Sequence, residues 1–72
     1  MITYERISSV NGVLRYAFYP EGDKTAPGYV EFENGKRPVL VENSDKDVKM
    51  FYAIHALNNI DISKQNGTVA WC

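Results

Sequence analysis

Residues 18–28 read "FYPEGDKTAPG", an aromatic strand end running into two prolines, two glycines, two acids and a lysine. The glycines and Lys24 invite comparison with a phosphate-binding loop. Such a loop requires Gly-Lys-Ser/Thr and a strand–loop–helix setting, because backbone N–H groups at a helix start cradle the phosphate. Here Lys24 follows Asp23, and both flanks are rich in strand-forming residues. The stretch is therefore read as a shaped connection. Pro20 ends one strand, Glu21-Gly22-Asp23 reverses the chain, and Pro27-Gly28 opens the next. Glu21, Asp23 and Lys24 are its candidate polar contacts to a partner.

On either side of this connection lies a hairpin signal. Asn11-Gly12 separates "ITYERISSV" from "VLRYAFY", and Asn34-Gly35 separates "YVEFE" from "KRPVLVE". Asn-Gly suits a two-residue type I′ turn, since both residues tolerate positive φ. That turn predicts Val10 opposite Val13, Ile7 opposite Tyr16, and Leu14, Tyr16 and Phe18 on one face. In the second hairpin it predicts Val30 opposite Val39, with Phe32 and Val41 on the same face and Glu31 and Glu33 on the other. Pro38 has no N–H, so its strand lies at an edge or starts beyond it. A third pair, Asn66-Gly67, is read as punctuation before a short final strand, "TVAWC".

Between them "SDKDVKMFYAIHALNNID" changes period. Ser44 and Asp47 resemble a capping box, and Asp45 and Asp47 suit a helix N-terminus. Met50, Ala53, Ile54 and Leu57 recur at helical spacing and predict the core stripe, with the helix ending near Asn58-Asn59. The order ββββαβ defines an α+β fold: a small antiparallel sheet of two hairpins and a C-terminal strand, packed against one helix, as a single domain over residues 1–72.

Eight basic and nine acidic residues give a net charge of −1, which argues against nonspecific nucleic-acid binding. The single cysteine, Cys72, cannot form an internal disulfide, and the opening "MITYERISSV" lacks the basic and apolar regions of a signal peptide. No apolar run is long enough to span a bilayer. The expectation is a cytoplasmic protein.

The only histidine, His55, has no HExxH, GxSxG or CxxC pattern around it, so catalysis is not expected. One histidine and one cysteine cannot close a zinc site alone, and the carboxylates do not follow calcium-loop spacing. No cofactor or metal is expected. Beside the core stripe Val48, Phe51, Tyr52 and His55 form a second group at helical spacing, more apolar surface than one sheet covers. This group, with Trp71 as an added anchor, points to a protein partner or a homodimer. The alternative is single-stranded nucleic-acid binding by Tyr4, Tyr16, Phe18, Tyr19 and Tyr29 with Arg6, Arg15 and Arg37.

"YPEGDKTAPG", "YAIHAL" and "GTVAW", in that order and spacing, resemble a group of small uncharacterised proteins encoded by phages, prophages and other mobile elements of Firmicutes. The resemblance runs from Arg15 to Trp71. Members commonly end in an aromatic residue after the tryptophan, where this chain has Cys72. The resemblance implies a bacterial cytoplasm and an accessory role in a mobile element, and it carries over no catalytic residue.

Overall fold

In the computed structural model the elements follow in the order β1 (Ile2–Val10), β2 (Val13–Pro20), β3 (Gly28–Glu33), β4 (Val39–Glu42), α1 (Phe51–Asn59) and β5 (Asn66–Val69). The structure describes residues 1–70, so Trp71 lies outside the described residues. The strands form one antiparallel sheet, β4-β3-β2-β1-β5, with α1 on one face. This is the expected α+β architecture in the expected order.

The first turn follows the local signal. Asn11 (φ 53°) and Gly12 (φ 80°) both occupy the positive-φ region that a type I′ turn requires, and Val10 pairs with Val13. Further along, the register shifts: Ser8 pairs with Arg15 and Arg6 with Tyr16, leaving Ile7 as the extra residue of a bulge. The pairing of Ile7 with Tyr16 is thus corrected, and Ile7 is 47% exposed.

The second hairpin departs more. Lys36 N–H donates to the Glu33 carbonyl at 3.0 Å, but only Gly35 of the central pair has positive φ. That sign pattern belongs to a turn that splays its strands rather than matching their twist. Pro38, lacking an N–H, then cannot join the ladder. Pairing resumes with Val39 opposite Glu31 and Leu40 opposite Val30. This one-residue slip corrects the expected face: Leu40 packs on the core, while Val39 and Val41 are exposed. Asn66-Gly67 is not a turn but the start of β5, where Gly67 lies opposite Tyr4. A Cβ on Gly67 would stand 2.6 Å from the Tyr4 hydroxyl oxygen, so the strand needs glycine for close approach.

The helix begins later than the capping box predicts. Ser44 accepts from Lys46 N–H and donates to the Ala26 carbonyl at 2.6 Å, so it closes a turn instead of capping α1. The N-cap is Met50, in the left-handed region at φ 63°. Buried Asp47 supplies the missing acceptors, taking the N–H of Tyr52 at 3.2 Å and of Ala53 at 2.8 Å. With this start, Ala53 and Ala56 are fully buried and Leu57 and Tyr52 pack beside them, whereas Met50 and Ile54 are exposed. The stripe is rotated from the expected one. Two alanines let the helix approach a sheet face already filled by Tyr4, Tyr16, Phe18 and Phe32.

The tyrosines of that face also hold the connection to β5. Tyr16 lies edge-on to Tyr4 and Phe32, donates its hydroxyl to the Lys64 carbonyl at 2.7 Å, and accepts from the Arg6 guanidinium. Tyr4 accepts from Asp61 N–H at 3.3 Å. Each buried hydroxyl thus finds a partner in the segment that follows α1.

Candidate protein-interaction surfaces

The start of α1 presents large apolar side chains to solvent. Val48 is 89% exposed, Phe51 62%, Ile54 50% and Met50 44%. Phe51 and Ile54 are three residues apart and Met50 and Ile54 four apart, so their side chains share one side of the helix start. Of the residues singled out from sequence, Val48 and Phe51 belong to this surface, and Tyr52 and His55 are half-buried along its flank. Met50 and Ile54 were placed in the core by periodicity and are found here instead. The signal for them lay in Ala53, Ala56, Leu57 and Ile60, which repeat at the same spacing and provide a second stripe.

Residues 21–26 are tied to the helix start. Glu21 takes a left-handed conformation (φ 52°), and its N–H donates to the Met1 carbonyl at 2.8 Å. Its carboxylate pairs with the Met1 ammonium at 2.8 Å and accepts the Tyr52 hydroxyl at 3.0 Å. The ammonium first, and Tyr52 second, hold the Glu21 carboxyl below its ordinary value. Asp23 pairs with Lys46 and accepts both the N–H and hydroxyl of Thr25, and these bonds hold its carboxyl well below the usual range. Both acids therefore act as internal clamps joining residues 1, 21–26 and 44–52. Lys24 differs. It stands over the Tyr19 ring at 5.9 Å from the centroid and makes no ion pair among the described residues.

Nucleic-acid binding would require accessible rings and cations on the face of the sheet away from α1. Tyr4, Tyr16 and Phe18 are in the core and cannot stack bases. Arg6 is engaged with Tyr16 and the Ile62 carbonyl, and Arg37 sits in the loop after the second turn. Of the rest, Tyr19 is buried beneath Lys24, and Tyr29 is half-buried beneath Arg15 at 5.6 Å. Glu5 and Glu31 share that face: Glu5 accepts the Tyr19 hydroxyl, and Glu31 lies 3.7 Å from Arg15. Burial and the Glu5 carboxylate push the Tyr19 hydroxyl up to about 12.

Two grooves flank the sheet. One, of about 470 Å³, lies between the two hairpin turns and is lined by Leu14, Phe32, Lys36, Pro38 and Ile62. The other, of about 420 Å³, runs along β1 and β5 past Thr3, Glu5, Tyr19, Lys24 and Thr68. Neither is lined by His55. Among the described residues no group of three or more His, Cys, Asp or Glu side chains is placed to hold a metal ion. No helix among them is long and apolar enough to cross a membrane.

No protein-family model, curated protein or solved structure matches the chain.

Proposed function

We propose that this is a non-enzymatic protein-interaction module that docks a protein partner through the N-terminal face of α1. The supporting observation is the exposed cluster of Val48, Met50, Phe51 and Ile54, gathered at one end of a nine-residue helix. Water around large exposed apolar side chains is unfavourable, and four of them at one end of a short helix support an interaction surface there. Tyr52 and His55 supply polar groups at its rim, and Glu21 is attached to that rim through Tyr52. The resemblance to mobile-element proteins makes a bacterial host or phage protein the partner to seek. Binding to single-stranded nucleic acid is the lesser reading. Its best support is the pair of cation-capped tyrosines, and Glu5 and Glu31 on the same face would repel phosphates.

Phe51→Asp and Val48→Asp test the proposal. Both sites are exposed, so the far-UV spectrum and urea midpoint should stay near wild type. Capture of a partner by the purified protein, or concentration-dependent self-association in sedimentation velocity, should be lost in the same variants. Partner capture unchanged in both would refute the assignment of this face.

A further inference from the structure

The chain contains three Asn-Gly pairs, at Asn11-Gly12, Asn34-Gly35 and Asn66-Gly67. Asparagine is chemically labile, most of all before glycine, where no Cβ shields the following backbone nitrogen. That nitrogen, giving up its proton to base, bonds to the asparagine Cγ. The carboxamide C–N bond breaks and ammonia leaves, which closes a succinimide ring. Water then adds to one of the two ring carbonyls and opens the ring to aspartate or isoaspartate. The reaction needs a glycine N–H free of acceptors and a backbone able to turn toward the side chain. Along the chain the three pairs are equivalent in this respect. The fold makes them unequal.

Asn66-Gly67 is closed to the reaction. The Arg6 N–H donates to the Gln65 carbonyl at 2.6 Å, and hydrogen-bonded pairs alternate along an antiparallel ladder, so the next such pair is Tyr4 with Gly67. The Gly67 N–H is thereby spent on the ladder, and the Tyr4 hydroxyl crowds the space beside its Cα. Asn11-Gly12 is exposed and uncrowded, but the Val10↔Val13 pair closes the ladder directly onto it and both residues are held at positive φ. Asn34-Gly35 is also exposed and uncrowded, and it opens a looser segment. β3 ends at Glu33 and β4 begins at Val39, so residues 34–38 belong to no strand. One turn bond, from the Lys36 N–H to the Glu33 carbonyl, spans the pair. The Gly35 N–H donates to no backbone carbonyl among the described residues.

We infer that Asn34 is a site of spontaneous deamidation, at which the second turn gains a carboxylate, while Asn11 reacts more slowly and Asn66 is protected. Asn34 and Gly35 border the groove of about 470 Å³, where Glu33 and Lys36 pair at 3.4 Å. The new carboxylate leaves that rim negative and adds one negative charge to the chain's net −1. This site is separate from the exposed start of α1, so either can fail without the other.

The full-length chain is aged in mildly alkaline buffer, both folded and in urea, and sampled by tryptic mapping. Trypsin cuts after Arg6, Lys24 and Lys64 among other sites, and so puts each Asn-Gly pair on its own peptide. Peptide mass reports deamidation, and labelling by an isoaspartyl methyltransferase reports isoaspartate. In the folded protein peptide 25–36 should convert first. Peptide 7–15 should lag by about threefold or more, and the peptide starting at Gln65 by about tenfold or more, because their ladders must open first. In urea the three should convert within about twofold of one another, since no ladder distinguishes them. Asn34→Gln, at an exposed turn position, should abolish the conversion of peptide 25–36 and the first acidic band on isoelectric focusing. Conversion led by either other peptide, equal rates in the folded protein, or the same ranking and spread in urea would each overturn the inference.

Discussion

Replacing Asp47 by alanine removes both acceptors that close the N-terminus of α1. The carboxylate is 5% exposed and takes two helix N–H groups, that of Ala53 being buried. A buried donor left without a partner costs about 1–3 kcal/mol, while the Tyr52 N–H, nearer the surface, can turn to water at less cost. Loss of the carboxylate at a positive helix end adds about 0.5 kcal/mol. The sum is about 3 kcal/mol, a large part of the roughly 4–10 kcal/mol expected of a domain this size. Urea unfolding followed by far-UV circular dichroism should show a lower midpoint with an unchanged slope. The melting temperature should drop by about 12–24 °C. Asp47→Asn keeps one acceptor oxygen and should lose about half as much. Asp45→Ala, at the exposed acid two residues earlier, should stay within about 0.5 kcal/mol of wild type. An Asp47→Ala protein within that margin would refute the capping role, as would Asp45→Ala proving the more damaging change.

Gly28→Ala sets a Cβ 2.2 Å from the Phe18 ring, which is fully buried and cannot step aside. It should destabilise by about 3 kcal/mol, with Phe18→Leu in the same chain recovering part of the loss; a change under about 1 kcal/mol in the same urea assay would show that the contact yields. Acid should act through Glu21 and Asp23, whose carboxyls are lowered in the folded state. Their contribution is present above the ordinary carboxylate range and is lost as pH falls through their lower folded-state values. Urea midpoints measured from pH 7 down to 2 should therefore fall less steeply in Glu21→Gln and Asp23→Asn than in wild type. Parallel curves would count against both clamps.

The order of elements along the chain, the helix and its end were all readable from local patterns, because turn chemistry and side-chain alternation act over a few residues. Asn11-Gly12 shows this at its clearest: two residues able to take positive φ set the I′ turn and the Val10–Val13 pair. The exposed helix surface was readable in part, through Val48 and Phe51. Met50 and Ile54 were not, because two overlapping stripes in the helix satisfy the same period. Which stripe faces the sheet depends on the space left between Tyr4, Tyr16, Phe18 and Phe32, and the small, fully buried Ala53 and Ala56 take it.

"FYPEGDKTAPG" divides in the same way. Its prolines and glycines alone determined that the chain turns there, since their backbone restrictions travel with the residue. The partners of its charges were decided by tertiary structure: Met1 and Tyr52 for Glu21, Lys46 for Asp23, and the Tyr19 ring for Lys24. The same holds for the slip that turns Leu40 inward and for Asp47 as the helix acceptor. A charge or a register has no preferred partner along the chain. It takes the one that packing brings within a few ångströms, and that distance is a property of the folded molecule.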